Sequence, residues 1–132
     1  MRGVHHVGVA VADLDEAISS YERLFGAELT GRQTQEQQGV EAASLVVGDG
    51  HVELLAALAP DTAVGRFLAR RGPGMHHVAY EVDDVGAALR ELAADGAELI
   101  DERPRHGLFG LEVAFVHPDA VHGVLSEIVA NG

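Results

Sequence analysis

The chain contains no cysteine, no tryptophan and no lysine, and only 5% of its residues are aromatic. Without cysteine there is no disulfide framework, no thiolate nucleophile and no Cys-based zinc site. Positive charge is scarce. Nine arginines face 21 Asp and Glu residues, and the formal net charge is −12 over 132 residues. Such acidity excludes a nucleic-acid partner, which needs a basic footprint, and disfavours anionic membranes. No apolar run approaches the ~18 residues that span a bilayer. The start, Met1-Arg2-Gly3-Val4-His5, has no charged region followed by an apolar one, so no secretory signal is expected and a cytoplasmic location is. The length suits one domain, with room for two modules of about 60 residues sharing a core. What remains is a set of eight histidines and a surplus of carboxylates, the side chains that bind divalent metals.

The chain repeats itself. Gly26-Ala27-Glu28-Leu29 recurs unchanged as Gly96-Ala97-Glu98-Leu99, and the block from His6 to Asp13 matches that from His77 to Asp84. Matching blocks in the same order indicate a duplicated unit. In the first copy Val4–Val11 is a β-branched apolar run and reads as a strand. Asp13 with Glu16 forms a capping box, Ala17, Ile18, Tyr21, Leu24 and Phe25 form a helical apolar stripe, and Gly26 is the stop. Strands are expected at Ala27–Gln33, Val40–Val47 and His51–Ala56, with Gln33–Gln38 as an exposed loop and Gly48-Asp49-Gly50 as a hairpin turn. In the second copy Met75–Val82 is the strand and Asp84 the cap. Ala87, Ala88 and Leu92 mark the helix and Gly96 its stop. Strands follow at Ala97–Asp101, Leu111–His117 and Gly123–Ala130, with Pro118-Asp119 opening the last turn. The pattern is β-α-β-β-β twice, with modules at about 1–58 and 74–132. The linker 59–73 holds a short helix near Thr62–Arg71.

Strand parity selects candidate site residues, because successive side chains alternate faces. His6, Gly8 and Ala10 share one face, and His5, Val7, Val9 and Val11 share the face that packs on a helix. His77, Ala79 and Glu81 repeat the first set, while His76, Val78, Tyr80 and Val82 repeat the second. Each unit also places one carboxylate in an apolar last strand, Glu53 and Glu127. Burying an unpaired carboxylate costs several kcal/mol. Two His and two Glu at equivalent places, brought together by a pseudo-twofold, would resolve that cost by sharing a divalent ion. The alternative is that both Glu face solvent on the open side of a sheet. The donor set suits Zn²⁺, Co²⁺, Ni²⁺, Mn²⁺ or Fe²⁺, and open positions would make the site catalytic rather than structural.

The arrangement resembles the vicinal oxygen chelate (glyoxalase/bleomycin resistance/dioxygenase) superfamily and, within it, the methylmalonyl-CoA epimerases. The resemblance covers nearly the whole chain. It rests on Val4–Val11, Gly39-Val40, Val52-Glu53-Leu54-Leu55, the linker from Pro60 to Leu68, the segment Gly74–Asp84, Phe115-Val116-His117-Pro118 and the segment His122–Glu127. It implies an α+β fold of two βαβββ modules in tandem, forming a curved mixed sheet around a central metal site within a single domain, 1–132. It implies His6, Glu53, His77 and Glu127 as ligands of one divalent ion (Co²⁺, Zn²⁺, Mn²⁺ or Ni²⁺), an acyl-CoA substrate and a homodimer. The implied reaction interconverts the (R) and (S) forms of methylmalonyl-CoA, or of a close acyl-CoA, by removal of the α-proton to an enolate, with Glu127 as a base.

The chain departs from the resemblance in two places. Some relatives carry a second Glu on the third strand, where this chain has Ala42; the neighbouring Glu41 points the other way by parity unless a bulge turns it. The segment Arg103–Gly110 carries Leu108 and Phe109 where a smaller, Gly-rich loop is usual, which would reshape an acyl pocket. Arg66, Arg70 and Arg71 share a short helix as a solvated face or a contact for coenzyme A phosphates. Glu81 is a candidate to hydrogen-bond a ligand. His51 and His106 are read as surface residues, and His117 and His122 flank a turn. Two other functions fit the same fold: a glyoxalase-type isomerase acting on a thiol adduct, and a metal-free binding protein. The carboxylates Glu53 and Glu127 speak against the second.

Overall fold

The computed structural model describes residues 1–131 and is α+β. The chain divides into two compact units, one of residues 6–76 and one of residues 77–131 together with 1–5. They are called the N-terminal and C-terminal units.

Strand β1 (Gly3–Ala10) leads into α1 (Leu14–Phe25). The Asp13 side chain accepts the Glu16 N–H at 3.0 Å, so the expected cap forms and satisfies a backbone donor at the helix start. Gly26 ends α1 with φ 64°, a left-handed conformation that carries no steric cost for glycine. Strands β2 (Glu28–Gln35), β3 (Val40–Val47) and β4 (Gly50–Ala57) follow. In the N-terminal unit the order is β2-β3-β4-β1, antiparallel except for the parallel pair β1 and β4. Leu14 and Ile18 of α1 pack on Ala43, Leu45 and Leu54. Leu45 and Leu54 are wholly buried, a gain of about 1.5–3 kcal/mol each over exposure.

Helix α2 (Ala63–Arg71) starts at a Thr62 cap whose hydroxyl accepts the Gly65 N–H. A Cβ at Gly65 would fall 2.5 Å from the Ala59 carbonyl oxygen, so glycine is what allows the helix to lie so close to the preceding chain.

The C-terminal unit repeats the plan with β5 (Gly74–Glu81), α3 (Val85–Ala94), β6 (Arg105–His106), β7 (Leu111–Val116) and β8 (Ser126–Asn131). Its order is β5-β8-β7-β6, again with the first and last strands parallel. Asp84 caps α3 by accepting the Ala87 N–H at 2.9 Å. Val85 and Leu89 pack on Ala114, Val116 and Ile128.

Three expectations are corrected. Ala97–Asp101 is not a strand; it makes one isolated bridge, Leu99 to Val116. The N–H groups of Ile100 and Asp101 both donate to the Phe115 carbonyl, at 3.0 and 3.1 Å. Phe115 N–H in turn donates to the Asp101 side chain. A shared acceptor and a side-chain acceptor replace the regular ladder. The last strand begins at Ser126 rather than Gly123, because Gly123 (φ 97°) still belongs to a turn in which Val124 N–H bonds the Val121 carbonyl. Finally, the second strand runs past its expected end at Gln33, and Thr34 and Gln35 are strand residues opposite Glu41 and Val40. Ladder pairing there overrides the polarity that made them look like loop.

Candidate metal and active site

The strand register within each unit carries the parity argument into three dimensions. In the N-terminal unit Val9, Val52, Leu54, Ala43 and Leu45 face α1. The opposite face therefore holds His6, Gly8, Glu53 and Ala42, with Glu53 directly across from Ser44 on one side and Gly8 on the other. His6 is 4% exposed and Glu53 7%. His6 Nε2 lies 3.6 Å from Glu53 Oε2.

The C-terminal unit builds the same pair. Ile128, Ala114 and Tyr80 face α3, and the other face holds His77, Ala79, Glu127 and Phe115, with Glu127 across from Ala79 and Phe115. His77 is 2% exposed and Glu127 8%. His77 Nε2 lies 3.5 Å from Glu127 Oε1. The solvent-facing alternative for the two glutamates is thus excluded. Each is buried beside an imidazole nitrogen, an arrangement in which neutral imidazole and carboxylate offer paired donors to a divalent cation.

The neighbouring histidine of the second doublet behaves as parity requires. His76 packs edge-on against Phe67 of α2, with ring centroids 4.9 Å apart, and so faces away from His77. His51, His106 and His122 are exposed. His117 accepts the Asp119 N–H through Nδ1 and lies 3.4 Å from Glu98. Glu81 Oε2 stands 3.8 Å from Arg2 Nε at the end of its strand, which accounts for it as a surface ion-pair partner.

Glu41 does not turn in to replace the carboxylate missing at Ala42. No bulge interrupts the β3–β4 register around it, where Glu41 faces Ala56. Its carboxylate accepts Arg32 Nε at 3.1 Å on the α1 side of the sheet, where Arg32 also bonds Asp15. Hydrogen bonds first to Asp15 and then to Glu41 raise the Arg32 guanidinium above its ordinary pKa. Ala42 itself is wholly buried. On α2, Arg66 donates to the Asp61 carbonyl at 2.7 Å and Arg71 stacks over Phe67, so both serve the local structure of the helix.

Sequence reading missed one group of residues. Arg105 sits on β6 opposite Val113, hence on the His77 face. Its guanidinium carbon lies 5.3 Å from the Phe115 ring centroid, and its NH2 lies 3.3 Å from Asp101 Oδ2. The segment reads as a strand to Asp101 followed by a loop, and nothing local in it marks Asp101 and Arg105 as partners across Phe115.

Comparison with known proteins gives one consistent picture. Residues 5–115 match the glyoxalase/bleomycin resistance protein/dioxygenase superfamily. The chain is 33% identical to the ethylmalonyl-CoA/methylmalonyl-CoA epimerase of Cereibacter sphaeroides, over 95% of each chain. It is similar to the crystal structure of methylmalonyl-CoA epimerase from Mycobacterium tuberculosis, with a TM-score of 0.94 and 36% identity, covering 98% of this chain and 88% of that one. A variant of the Streptomyces coelicolor methylmalonyl-CoA epimerase, in complex with 2-nitronate-propionyl-CoA, matches with a TM-score of 0.96 and 33% identity, over 100% of this chain and 96% of that one.

Proposed function

Because the chain belongs to the glyoxalase/bleomycin resistance protein/dioxygenase superfamily and, within it, to the methylmalonyl-CoA epimerases, we propose that His6, Glu53, His77 and Glu127 hold one divalent ion, and that Glu127 moves the α-proton. The activity is that of an isomerase, which interconverts the (R) and (S) forms of methylmalonyl-CoA or a close acyl-CoA. One observation carries the site assignment. A buried His–Glu pair recurs on corresponding strands of both units, with nitrogen–oxygen distances of 3.6 and 3.5 Å.

The donor chemistry fits a divalent ion. Two imidazoles and two carboxylates, each less than a tenth exposed, are a borderline-soft and hard set that suits Co²⁺, Zn²⁺, Mn²⁺ or Ni²⁺. When bound, such an ion supplies Lewis-acid stabilisation of the negative charge that develops on the acyl oxygens as the proton leaves. Glu127 has the burial and placement of a carboxylate that accepts a proton from carbon and returns it, a role worth about 10²–10⁴-fold. Apolar neighbours, among them Ala79, Val113 and Val129, keep water from that carboxylate and strengthen its electrostatic coupling to charge nearby. The third strand supplies Ala42 and no second base. Among the described residues no helix is long and apolar enough to cross a membrane. A single domain, 1–132, acting as a cytoplasmic homodimer on a soluble acyl-CoA completes the reading.

The test is incubation with methylmalonyl-CoA and each candidate metal in D₂O, with α-deuteration followed by mass spectrometry. Metal-dependent incorporation of deuterium is expected. Absence of exchange with every metal would overturn the reading.

A further inference from the structure

We infer that Phe115 is a positioning residue for the metal centre. Clamped by Asp101 and Arg105, its ring fixes the rotation of the His77 imidazole, so that Nε2 stays turned toward Glu127 and the ion; this rests on the metal site proposed above.

Three observations within the C-terminal unit carry it. First, Phe115 stands where it can brace the histidine. It pairs with Glu127 across β7 and β8, and its ring meets the imidazole nearly at right angles, with centroids 6.0 Å apart and an interplanar angle of 86°. Second, its backbone is fixed on both sides. Its N–H donates to Asp101 Oδ2 at 2.9 Å, and its carbonyl accepts the N–H groups of Ile100 and Asp101 at 3.0 and 3.1 Å. Third, its ring is held by a cation. The Arg105 guanidinium carbon lies over it at 5.3 Å, and Arg105 Nη2 lies 3.3 Å from the same Asp101 Oδ2. These contacts close a circuit that runs from Asp101 to Arg105, from Arg105 to the Phe115 ring, and from the Phe115 N–H back to Asp101.

An imidazole turns about its last torsion over a broad, roughly two-fold well. A ligand nitrogen has to meet an ion along one direction, so rotational freedom left in His77 is lost when the ion binds and lowers its affinity. The contact with Phe115 narrows that rotation beforehand, and an aromatic pair at this angle is worth more than the area it buries. The guanidinium in turn limits rotation of the Phe115 ring by stacking and cation–π attraction. Charge alone does not account for the arrangement. An unpaired arginine close to a cation site would repel the ion, and here Asp101 offsets it. Duplication does not supply the brace either. The residue across from Glu53 in the N-terminal unit is Ser44, which has no ring to offer at the corresponding position.

The experiment is competition between the full chain and a chromogenic chelator for Co²⁺, with the visible spectrum of bound Co²⁺ recorded alongside. The proteins are wild type, Phe115→Leu, Arg105→Gln, the double variant and His77→Ala. Phe115→Leu keeps an apolar side chain and removes the ring. It should weaken Co²⁺ by about two- to tenfold and shift the Co²⁺ bands, which report ligand geometry. Arg105→Gln, at a side chain 44% exposed, should leave the melting temperature near that of wild type and weaken Co²⁺ by a smaller factor. In the Phe115→Leu background it should have no further effect, because the arginine acts through the ring. The inference fails if Phe115→Leu leaves affinity and spectrum unchanged. It fails equally if Arg105→Gln tightens Co²⁺, the sign expected of a cation that merely repels the ion, or if the two substitutions add. Failure of the metal reading looks different: His77→Ala would then bind Co²⁺ as tightly as wild type does.

Discussion

The two units share a plan and differ at one element. In the N-terminal unit the strand after the helix, β2, runs eight residues and pairs with β3 along its length, with one irregularity between Leu29 and Gly31. In the C-terminal unit the corresponding segment never becomes a strand, and β6 is two residues long. The difference lies away from the His–Glu pairs, which sit on the first and last strands of each unit and coincide to within 0.1 Å in their nitrogen–oxygen distances, 3.6 and 3.5 Å. Duplication therefore preserves what the proposed ion requires of both halves. The second strand is an edge, with only one neighbour to satisfy, and it is free to change. In the C-terminal unit that freedom yields the chain that delivers Asp101 and Arg105 onto Phe115. In the N-terminal unit the edge stays a full-length strand and carries Arg32, whose two carboxylate partners lie on the helix side of the sheet.

The comparison predicts where the two halves stop being equivalent. The largest effect is chemical. Glu127→Gln should slow α-deuteration by about 10²–10⁴-fold even at saturating metal. Glu53→Gln, which keeps an oxygen donor, should leave most of the exchange and mainly weaken the metal, as read by titration with a chromogenic chelator. Equal loss of exchange in the two variants would make the pairs interchangeable and remove Glu127 from the proton transfer.

Smaller effects test the equivalence of the two cores. Leu54 and Leu89 occupy corresponding helix–sheet interfaces and are 0% and 2% exposed. Leu54→Ala and Leu89→Ala should each cost about 2–5 kcal/mol in denaturant unfolding. A marked inequality would show that one half relaxes around a cavity and the other does not. Smallest are the helix caps. Asp13→Ala and Asp84→Ala each remove one side-chain acceptor of nearly the same geometry, 3.0 and 2.9 Å. Both should lower stability by about 0.5–2 kcal/mol, and calorimetric melting should find them alike.

The sequence alone determined the local elements and their faces. A cap three residues before a bonded N–H, a glycine at a left-handed stop and alternation along a β-branched run are decided within one turn or one strand. That is why both caps, the Gly26 stop and the separation of His6 from His5 and of His77 from His76 were legible. The repeat added the equivalence of Glu53 and Glu127, since a duplicated chain places duplicated residues on matching strands. The tertiary structure decided what no local pattern encodes. Burial of both glutamates beside their histidines depends on which strands become neighbours. The loss of a strand at Ala97–Asp101 depends on a side-chain carboxylate competing with a distant backbone acceptor for the Phe115 N–H. The exclusion of Glu41 depends on Arg32, nine residues away and on another strand. Arg105 meets an aromatic ring only because the fold sets Phe115 beneath it. Its environment is made of long-range contacts, and periodicity carries no record of those.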